Sequence, residues 1–407
     1  MPSSASSSSR GETETRVKTD RLKWIVTNTC RLLVSATFVF SGLVKLIDPH
    51  GTEYKIQDYL VALGLGDILP HPGPIALAVA LALMEFCLGI YLFFGIRRRW
   101  TTRTILAFMI VYVPLTLWLA VSNAVEDCGC FGDAVHLTNW QTFWKNVALL
   151  AAAVLLCRTR RYQTRVISES TQWIISLYSI VYGIILAMWC LYAEPVMDFR
   201  PFHIGQDVVA AMQWPDDVDA TPEILDFTIE PIPDMDYSDN QAALVEQLSE
   251  LDFPEYTFLL TAPYLNTADD GMMERINAVA DYAAERGYAF VCLTASDAAS
   301  VQRWCELTGA DYAFAFMDEL TLKTIARSNP ALVLMHGSKI VGKWSNATMP
   351  KEEVWSGPLQ SLPQANPQIE SYRRMLVTLL LLYLLPLLLL TAIDRTVTFV
   401  RWRKANR

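Results

Sequence analysis

The sequence predicts a bundle of membrane-spanning helices with a separate α/β domain inserted before the last helix. Mean hydropathy over the 407 residues is +0.25, and 18% of residues are charged, where soluble proteins carry about 25%. Residues 194–370 hold 29 acidic and 9 basic side chains, whereas the remainder holds 13 and 24. An acidic soluble block therefore lies within an apolar, basic chain, which makes nucleic acid a poor partner for the soluble part.

Six apolar stretches approach the roughly 20 residues that a helix needs to cross a bilayer core. They are residues 24–47, 75–96, 105–121, 142–157, 172–192 and 375–393. The last stretch, LVTLLLLYLLPLLLLTAI, has no polar face to present to water. We therefore favour membrane spans over the buried helices of a soluble core.

Lysine and arginine indicate the orientation of these spans, because basic loops stay in the cytoplasm. They collect in four segments that alternate along the spans, namely 10–23, 97–103, 158–165 and 395–407. The sequence thus predicts a multi-pass protein of the inner (cytoplasmic) membrane with both termini cytoplasmic. Residues 194–374 are predicted to be extracytoplasmic.

The acidic block alternates strand and helix patterns after a stretch rich in proline and aspartate at 194–250. The predicted strands cover residues 256–261, 288–294, 312–316, 331–336 and 339–344. The predicted helices cover residues 270–286, 297–309 and 318–328. This order, closed by a hairpin, is typical of an α/β sandwich.

The segment RSNP at 327–330, followed by the strand ALVLM and a hairpin, resembles the thioredoxin-like fold of the TlpA and peroxiredoxin type. The resemblance implies that Pro330 forms a cis peptide bond facing a site; a trans proline opening the strand is the alternative. Thioredoxins carry Cys-x-x-Cys after the first core strand, whereas this chain has TAPYLNT at 261–267. Since exchange needs a thiolate, this domain is expected to dock a partner. Cys292 and Cys305 are interpreted as buried structural residues.

The membrane part carries FSGLVKLIDP at 40–49 and DCGCFGD at 127–133. In this order the two elements resemble the DoxX/MauE superfamily, over about residues 24–160. MauE-like proteins are implicated in disulfide formation during methylamine dehydrogenase maturation, beside a thioredoxin-like partner. The resemblance therefore implies a redox setting related to methylamine utilisation.

The predicted organisation has seven parts in chain order. They are a disordered cytoplasmic tail (1–23), a five-span DoxX/MauE-like domain (24–193), a linker (194–221), a thioredoxin-like domain (222–350), a second linker (351–374), a sixth span (375–394) and a basic cytoplasmic tail (395–407).

Cys128 and Cys130 are the candidate catalytic residues, because a disulfide in so small a ring would be strained and therefore labile. Two alternatives stay open: a static staple or inert thiols, and a metal site that includes His136. A closed zinc site wants four ligands, so no metal is predicted. Cys190 is a candidate resolving thiol.

Three ionisable residues lie within predicted spans, where charge is costly and commonly functional. Arg31 and Glu85 are expected to form an ion pair that fixes helix register, with a proton or quinone site as the alternative. Lys45 is expected to reach the interface or to pair with Asp48 or another acidic loop residue.

The preferred hypothesis is a redox-associated protein of the cell envelope that supports thiol–disulfide exchange or maturation of envelope proteins. Its expected partners are the bilayer and envelope clients or a separate thioredoxin-like protein, and quinone is a candidate cofactor. The alternative is a non-enzymatic scaffold that assembles envelope proteins through the acidic domain. Whether the protein is an enzyme stays open at the level of sequence.

Overall fold

A computed structural model describes residues 5–66, 72–125, 128–214, 221–365 and 369–406 of the chain. The chain divides into two compact units. One consists of Met1–Met188 and Leu380–Arg407, and the other of Trp189–Leu379. Each is described by itself below.

The first unit is built from helices. They are α1 (Ala5–Ile47), α2 (Pro49–Ala62), α3 (Gly73–Phe94), α4 (Arg98–Ser122), α5 (Asn139–Arg158) and most of α6 (Gln172–Tyr192). Helices α1 and α3 pack closely, as do α4 and α5.

The second unit is an α/β domain. Its helices are α7 (Val208–Ala211), α8 (Asp239–Ser249), α9 (Met273–Arg286), α10 (Ala298–Thr308) and α11 (Glu319–Ile325). Its strands are β1 (Tyr256–Thr261), β2 (Ala289–Thr294), β3 (Ala313–Phe316), β4 (Ala331–His336) and β5 (Lys339–Ser345). A last helix, α12 (Ile369–Ala405), follows the domain and ends within the first unit.

Within the described ranges, six helices are long and apolar enough to cross a membrane, namely α1, α3, α4, α5, α6 and α12. The prediction of a multi-pass membrane protein with an α/β domain before its last helix is therefore confirmed.

The predicted disordered tail is helical where the structure describes it. Residues 5–23 continue α1 toward the N-terminus without a break. Between Pro2 and Pro49 the chain has no proline to interrupt a helix. Once the apolar span is helical, each further residue adds one hydrogen bond without a new nucleation cost.

The sheet of the α/β domain has the order β3-β2-β1-β4-β5. Strands β1, β2 and β3 are parallel, while β4 runs antiparallel to β1 and β5 antiparallel to β4. Apolar cores cover both faces, one around Phe258 and the other around Phe227. Because both faces of the sheet are buried, its strands are nearly continuous runs of apolar residues. The bounds of β1 and β4 are the predicted ones.

The two predicted linkers belong to the folded domain. Phe202 and Val208, from the first, are buried in one core, and Asp207 pairs with Lys339 beside the sheet. Trp355 and Leu359, from the second, are buried in the other. Prolines interrupt both segments and their apolar side chains follow no regular period, but these apolar side chains are the ones that pack.

Helix α8 lies in the stretch rich in proline and aspartate at 194–250, for which no helix is predicted. Ser238 accepts a hydrogen bond from the Gln241 backbone, and the Gln241 side chain bonds back to the Ser238 backbone. This capping box was the available sequence signal for a helix start. Val245 and Leu248 then bury one face of the helix.

Candidate functional site

The two sulfurs of the CGC segment lie side by side in the connection between α4 and α5. The Sγ atoms of Cys128 and Cys130 are 2.9 Å apart, and both residues are free thiols. Gly129 has φ +61°, a left-handed conformation that glycine adopts without strain and that folds the segment back on itself. Cys128 is buried and Cys130 partly exposed. The arrangement can open and close one disulfide with little backbone movement.

Side chains from the preceding helices hold the backbone of this segment. The Tyr59 hydroxyl, on α2, donates to the Cys128 carbonyl at 2.9 Å. The Ser41 hydroxyl, on α1, lies 2.6 Å from the Cys130 carbonyl. Two helices thus hold the thiol segment, one at the carbonyl of each cysteine.

A buried ion pair lies next to Ser41. Lys45 Nζ is 2.7 and 2.9 Å from the two carboxylate oxygens of Glu85, and the two residues are 5% and 2% exposed. Ser41 Oγ is also 2.6 Å from Glu85 Oε2, and the Tyr112 hydroxyl lies 3.4 Å from Oε1. Ser41 therefore touches both the ion pair and the backbone of Cys130.

Two glycines bring α1 and α3 close enough to form this pair. A Cβ atom on Gly42 would lie 2.3 Å from the Phe86 backbone nitrogen, and one on Gly89 would lie 2.6 Å from the Val39 nitrogen. Small residues permit such contact between helix backbones in membrane proteins. Because Ser41 and Lys45 are four residues apart on α1, both face Glu85.

The two thiols differ in pKa, because their surroundings shift the two values in opposite directions. The hydrogen bond from Cys128 lowers the pKa of Cys130 to about 6; burial opposes this shift, and the charges of Lys145 and Lys45 reinforce it. The hydrogen bond to Cys130 and burial raise the pKa of Cys128 well above its ordinary value. The two thiols are therefore inequivalent, and the thiolate form is favoured at Cys130 over Cys128. A thiolate is the nucleophile of disulfide exchange.

The expected ion pair between Arg31 and Glu85 is wrong. Arg31 Nη1 donates to the Thr164 carbonyl at 2.5 Å, and Glu85 forms its ion pair with Lys45 instead. The contact of Gly42 with Phe86 sets the helix register, and Arg31 lies 11 residues, about 16 Å, further along α1.

The expected pairing of Lys45 with Asp48 or an acidic loop residue is wrong as well, since the buried Lys45 pairs with Glu85 on α3. Asp48 instead accepts a hydrogen bond from the Gly51 backbone at the start of α2.

For two further predictions the structure gives the positions of the residues but does not test their roles. Cys190 is 1% exposed near the end of α6, and its role as a resolving thiol stays a prediction. Within the described ranges, no group of three or more His, Cys, Asp or Glu side chains is placed to hold a metal ion. The sequence interpretation did not assign roles to Ser41, Tyr59, Tyr112 or Lys145. Ser41 carried one signal, its four-residue spacing from Lys45 on the same helix, whereas the other three lie on different helices and their contacts could not be read from spacing.

The α/β domain has its own loop cluster, without sulfur. The Asn329–Pro330 bond is cis, and the Asn329 amide donates to the Tyr264 carbonyl at 2.9 Å. A hydrogen bond with Glu319 raises the pKa of Tyr264 to about 12. Tyr264 is 42% exposed, so this cluster is available to a partner. The role of Pro330 in a thioredoxin-like site stays a prediction.

The cysteines of the α/β domain lie in the core. Cys292, on β2, is fully buried, and Cys305, on α10, packs partly buried against the same core. Burial raises the pKa of both thiols. These positions agree with the structural role expected of them.

Fold and site together define a multi-pass membrane protein with a dithiol segment next to a buried ion pair, followed by an α/β domain. Residues 23–159 match the family model of the methylamine utilisation protein MauE. The matched range contains the CGC segment, Ser41, Lys45 and Glu85. No curated protein and no solved structure matches the chain.

Proposed function

We propose that this chain is a membrane component of thiol–disulfide exchange in the cell envelope, with Cys128 and Cys130 alternating between dithiol and disulfide. The observation that carries the proposal is the pair of sulfurs 2.9 Å apart, on a backbone whose two cysteine carbonyls are held by Tyr59 and Ser41. Inert thiols need neither the unequal pKa values nor the fixed backbone. The match to the MauE family model over residues 23–159 supports the same setting.

The exchange balances within the protein and its partner. The Cys130 thiolate attacks one sulfur of a partner's disulfide, forms a mixed disulfide and releases the partner's other sulfur as a thiolate. Cys128 then loses its proton to that thiolate and attacks Cys130. The products are the Cys128–Cys130 disulfide and a partner dithiol, so two electrons have moved to the partner. In the reverse direction the chain oxidises a partner dithiol.

In this proposal the α/β domain docks partners and performs no exchange. Its strand order, with β1–β3 parallel and β4–β5 antiparallel, and the cis bond before β4 support a thioredoxin-like fold. The loop after β1, where such folds carry their cysteines, has Tyr264 beside Asn329 and Glu319. A polar, exposed loop cluster without sulfur fits recognition rather than electron transfer.

The proposed location is the inner membrane, with the CGC segment and the α/β domain on its outer side. The basic segments 97–103 and 158–165 support this orientation, because they flank the opposite ends of α4 and α5 from the CGC segment. An oxidising compartment would be required for a disulfide to persist.

Trapping of mixed disulfides tests the proposal. In Cys128→Ser the resolving thiol is gone, so Cys130 should accumulate disulfide-linked adducts when cells are quenched with acid and resolved without reductant. Cys130→Ser should form none, and Cys305→Ser, in the core of the α/β domain, is the matched control, expected to trap as little as the wild type.

Equal adducts in all three variants would refute the exchange role. The remaining interpretation would be the scaffold. That role predicts that Cys128→Ser/Cys130→Ser cells mature envelope disulfides normally while deletion of residues 222–350 has an effect.

A further inference from the structure

A cavity of about 650 Å³ lies at the other end of the helices from the CGC segment. It forms where the start of α4, the connection after α5 and the start of α6 meet. Six arginines line it, namely Arg97, Arg98, Arg99, Arg160, Arg161 and Arg165. No part of the proposed exchange chemistry uses this cavity.

The charge of the cavity is not balanced by its own lining. Among the lining residues that the structure describes, Glu169 is the one carboxylate, and it pairs with Arg165 at 2.5 Å. The other five guanidinium groups then share one cavity, and a bound anion would reduce their mutual repulsion. Because several of these side chains reach water, the result is a positively charged site open to a ligand.

The walls that carry these arginines are held in place by the fold. Arg98 Nη1 donates to the Gln163 carbonyl at 2.6 Å, and the Val166 nitrogen donates to the Phe94 carbonyl at 3.1 Å. Buried Arg31 donates to the Thr164 carbonyl from the other side. A Cβ on Gly95 would lie 2.8 Å from that same carbonyl oxygen, so the connection packs directly on the end of α3. The guanidinium groups therefore project from a fixed backbone rather than from a loose loop.

The cavity opens at the ends of apolar spans. Trp100 in its lining is 70% exposed, and nearby Trp173 on α6 is 64% exposed. Exposed tryptophans at span ends mark the membrane–water interface. Phe93, the penultimate residue of α3, is 41% exposed and adds a third apolar ring at this end of the helices. A ligand there has access to phosphate-binding groups and hydrocarbon at once.

We propose that this cavity binds the phosphate of an anionic phospholipid head group from the adjoining leaflet. Arginine presents a planar fork of donors that matches phosphate oxygens, and basic pockets between membrane helices recognise such head groups. The apolar span ends beside the cavity favour a lipid over a soluble phosphate. The inference is independent of the exchange role proposed for Cys128 and Cys130.

Native mass spectrometry of the full chain, purified in detergent and titrated with phosphatidylglycerol or phosphatidylcholine, tests the proposal. The wild type should retain phosphatidylglycerol in preference to phosphatidylcholine. Arg97→Gln/Arg99→Gln should lose about thirty-fold in affinity for phosphatidylglycerol, as expected for two lost guanidinium contacts.

The matched control is Arg103→Gln/Arg158→Gln. It removes the same number of charges from the same end of the helices, at exposed positions outside the cavity lining. It should bind phosphatidylglycerol like the wild type. Equal losses in both double variants would indicate general surface attraction and overturn the site.

Two further outcomes keep the test decisive. If the cavity variant does not fold, the wild type alone decides, because equal retention of both lipids contradicts the proposal. If inorganic phosphate at millimolar concentration displaces phosphatidylglycerol, the cavity is a site for a soluble anion and the lipid assignment is wrong.

Discussion

The chain carries two neighbouring pairs of cysteines in contrasting environments. Cys128 and Cys130 share a hydrogen bond close to Lys45 and Lys145, and one pKa falls to about 6. Cys292 and Cys305 lie among the aromatic side chains of an α/β core, and both pKa values rise. Both sites are largely shielded from water, so burial alone does not separate them. The difference teaches that nearby cations and a sulfur hydrogen bond decide whether a shielded thiol is a nucleophile.

The largest expected effect is the difference in alkylation between the pairs. At pH 7 a thiol of pKa about 6 is roughly 90% ionised, whereas a thiol of raised pKa is at most a few per cent ionised. With the added shielding of Cys292, we expect Cys130 to react with iodoacetamide more than a hundred-fold faster. Residue-resolved mass spectrometry after timed labelling of the full chain measures both rates. Similar alkylation rates at Cys130 and Cys292 would show that the two pairs of cysteines do not differ in reactivity.

The next effect concerns the hydrogen bond between the sulfurs. Cys128→Ala removes the largest cause of the lowered pKa of Cys130, while burial remains. The pKa should rise toward about 8.5, the ordinary value of a thiol, so alkylation at pH 6.5 should slow about fifty-fold. The pH midpoint of Cys130 alkylation is the measurement. Cys305→Ala is the control in the other pair, and it should leave this midpoint unchanged.

A smaller effect is expected from Lys145. Its ammonium lies 4.1 Å from the centre of the Phe131 ring and lowers the pKa of Cys130. Lys145→Gln should raise the alkylation midpoint by less than one pH unit, which slows labelling at pH 6 a few-fold. Lys145→Arg keeps the charge and should restore the wild-type midpoint. A shift of the same size in both variants would show that packing rather than charge is responsible.

The smallest net effect is expected from the double variant of the ion pair. Lys45 lowers the pKa of Cys130 and Glu85 raises it, so Lys45→Met should move the midpoint up and Glu85→Gln down. In Lys45→Met/Glu85→Gln the two changes have opposite sign and should nearly cancel.

The stability of the same variants provides an independent readout. Lys45→Met leaves the Glu85 carboxylate buried without its partner and should cost about 3–5 kcal/mol, more than the double variant costs. Thermal unfolding of the purified full chain in detergent compares the two. Glu85→Gln alone completes the cycle, and a double variant whose loss equals the sum of the two single losses would mean that the pair is not coupled.

Sequence reasoning predicted the elements where one physical signal dominates. Apolar length identified the six spans, and alternation between turns identified β1 and β4 with their bounds. The CGC segment was identified by residue type alone. These features depend on residues that are close together in the sequence, so the sequence alone is enough to predict them.

Contacts between distant segments were harder to predict. The partner of Glu85 depends on helix register, which the close approach of Gly42 to Phe86 determines, and single glycines in apolar helices are ambiguous. The folded edges around Phe202 and Trp355 were hidden because prolines interrupt both segments and their apolar side chains follow neither a helix nor a strand period. The role of Ser41 required coordinates, since it depends on two acceptors 44 and 89 residues away.

Ser41 has one hydroxyl hydrogen and faces two acceptors at equal distance, the Glu85 carboxylate and the Cys130 carbonyl. The hydroxyl can donate to only one of these acceptors at a time. The main chain that carries the nucleophilic sulfur therefore shares a single hydrogen-bond donor with the buried ion pair, so a movement of either one changes the hydrogen bonding of the other.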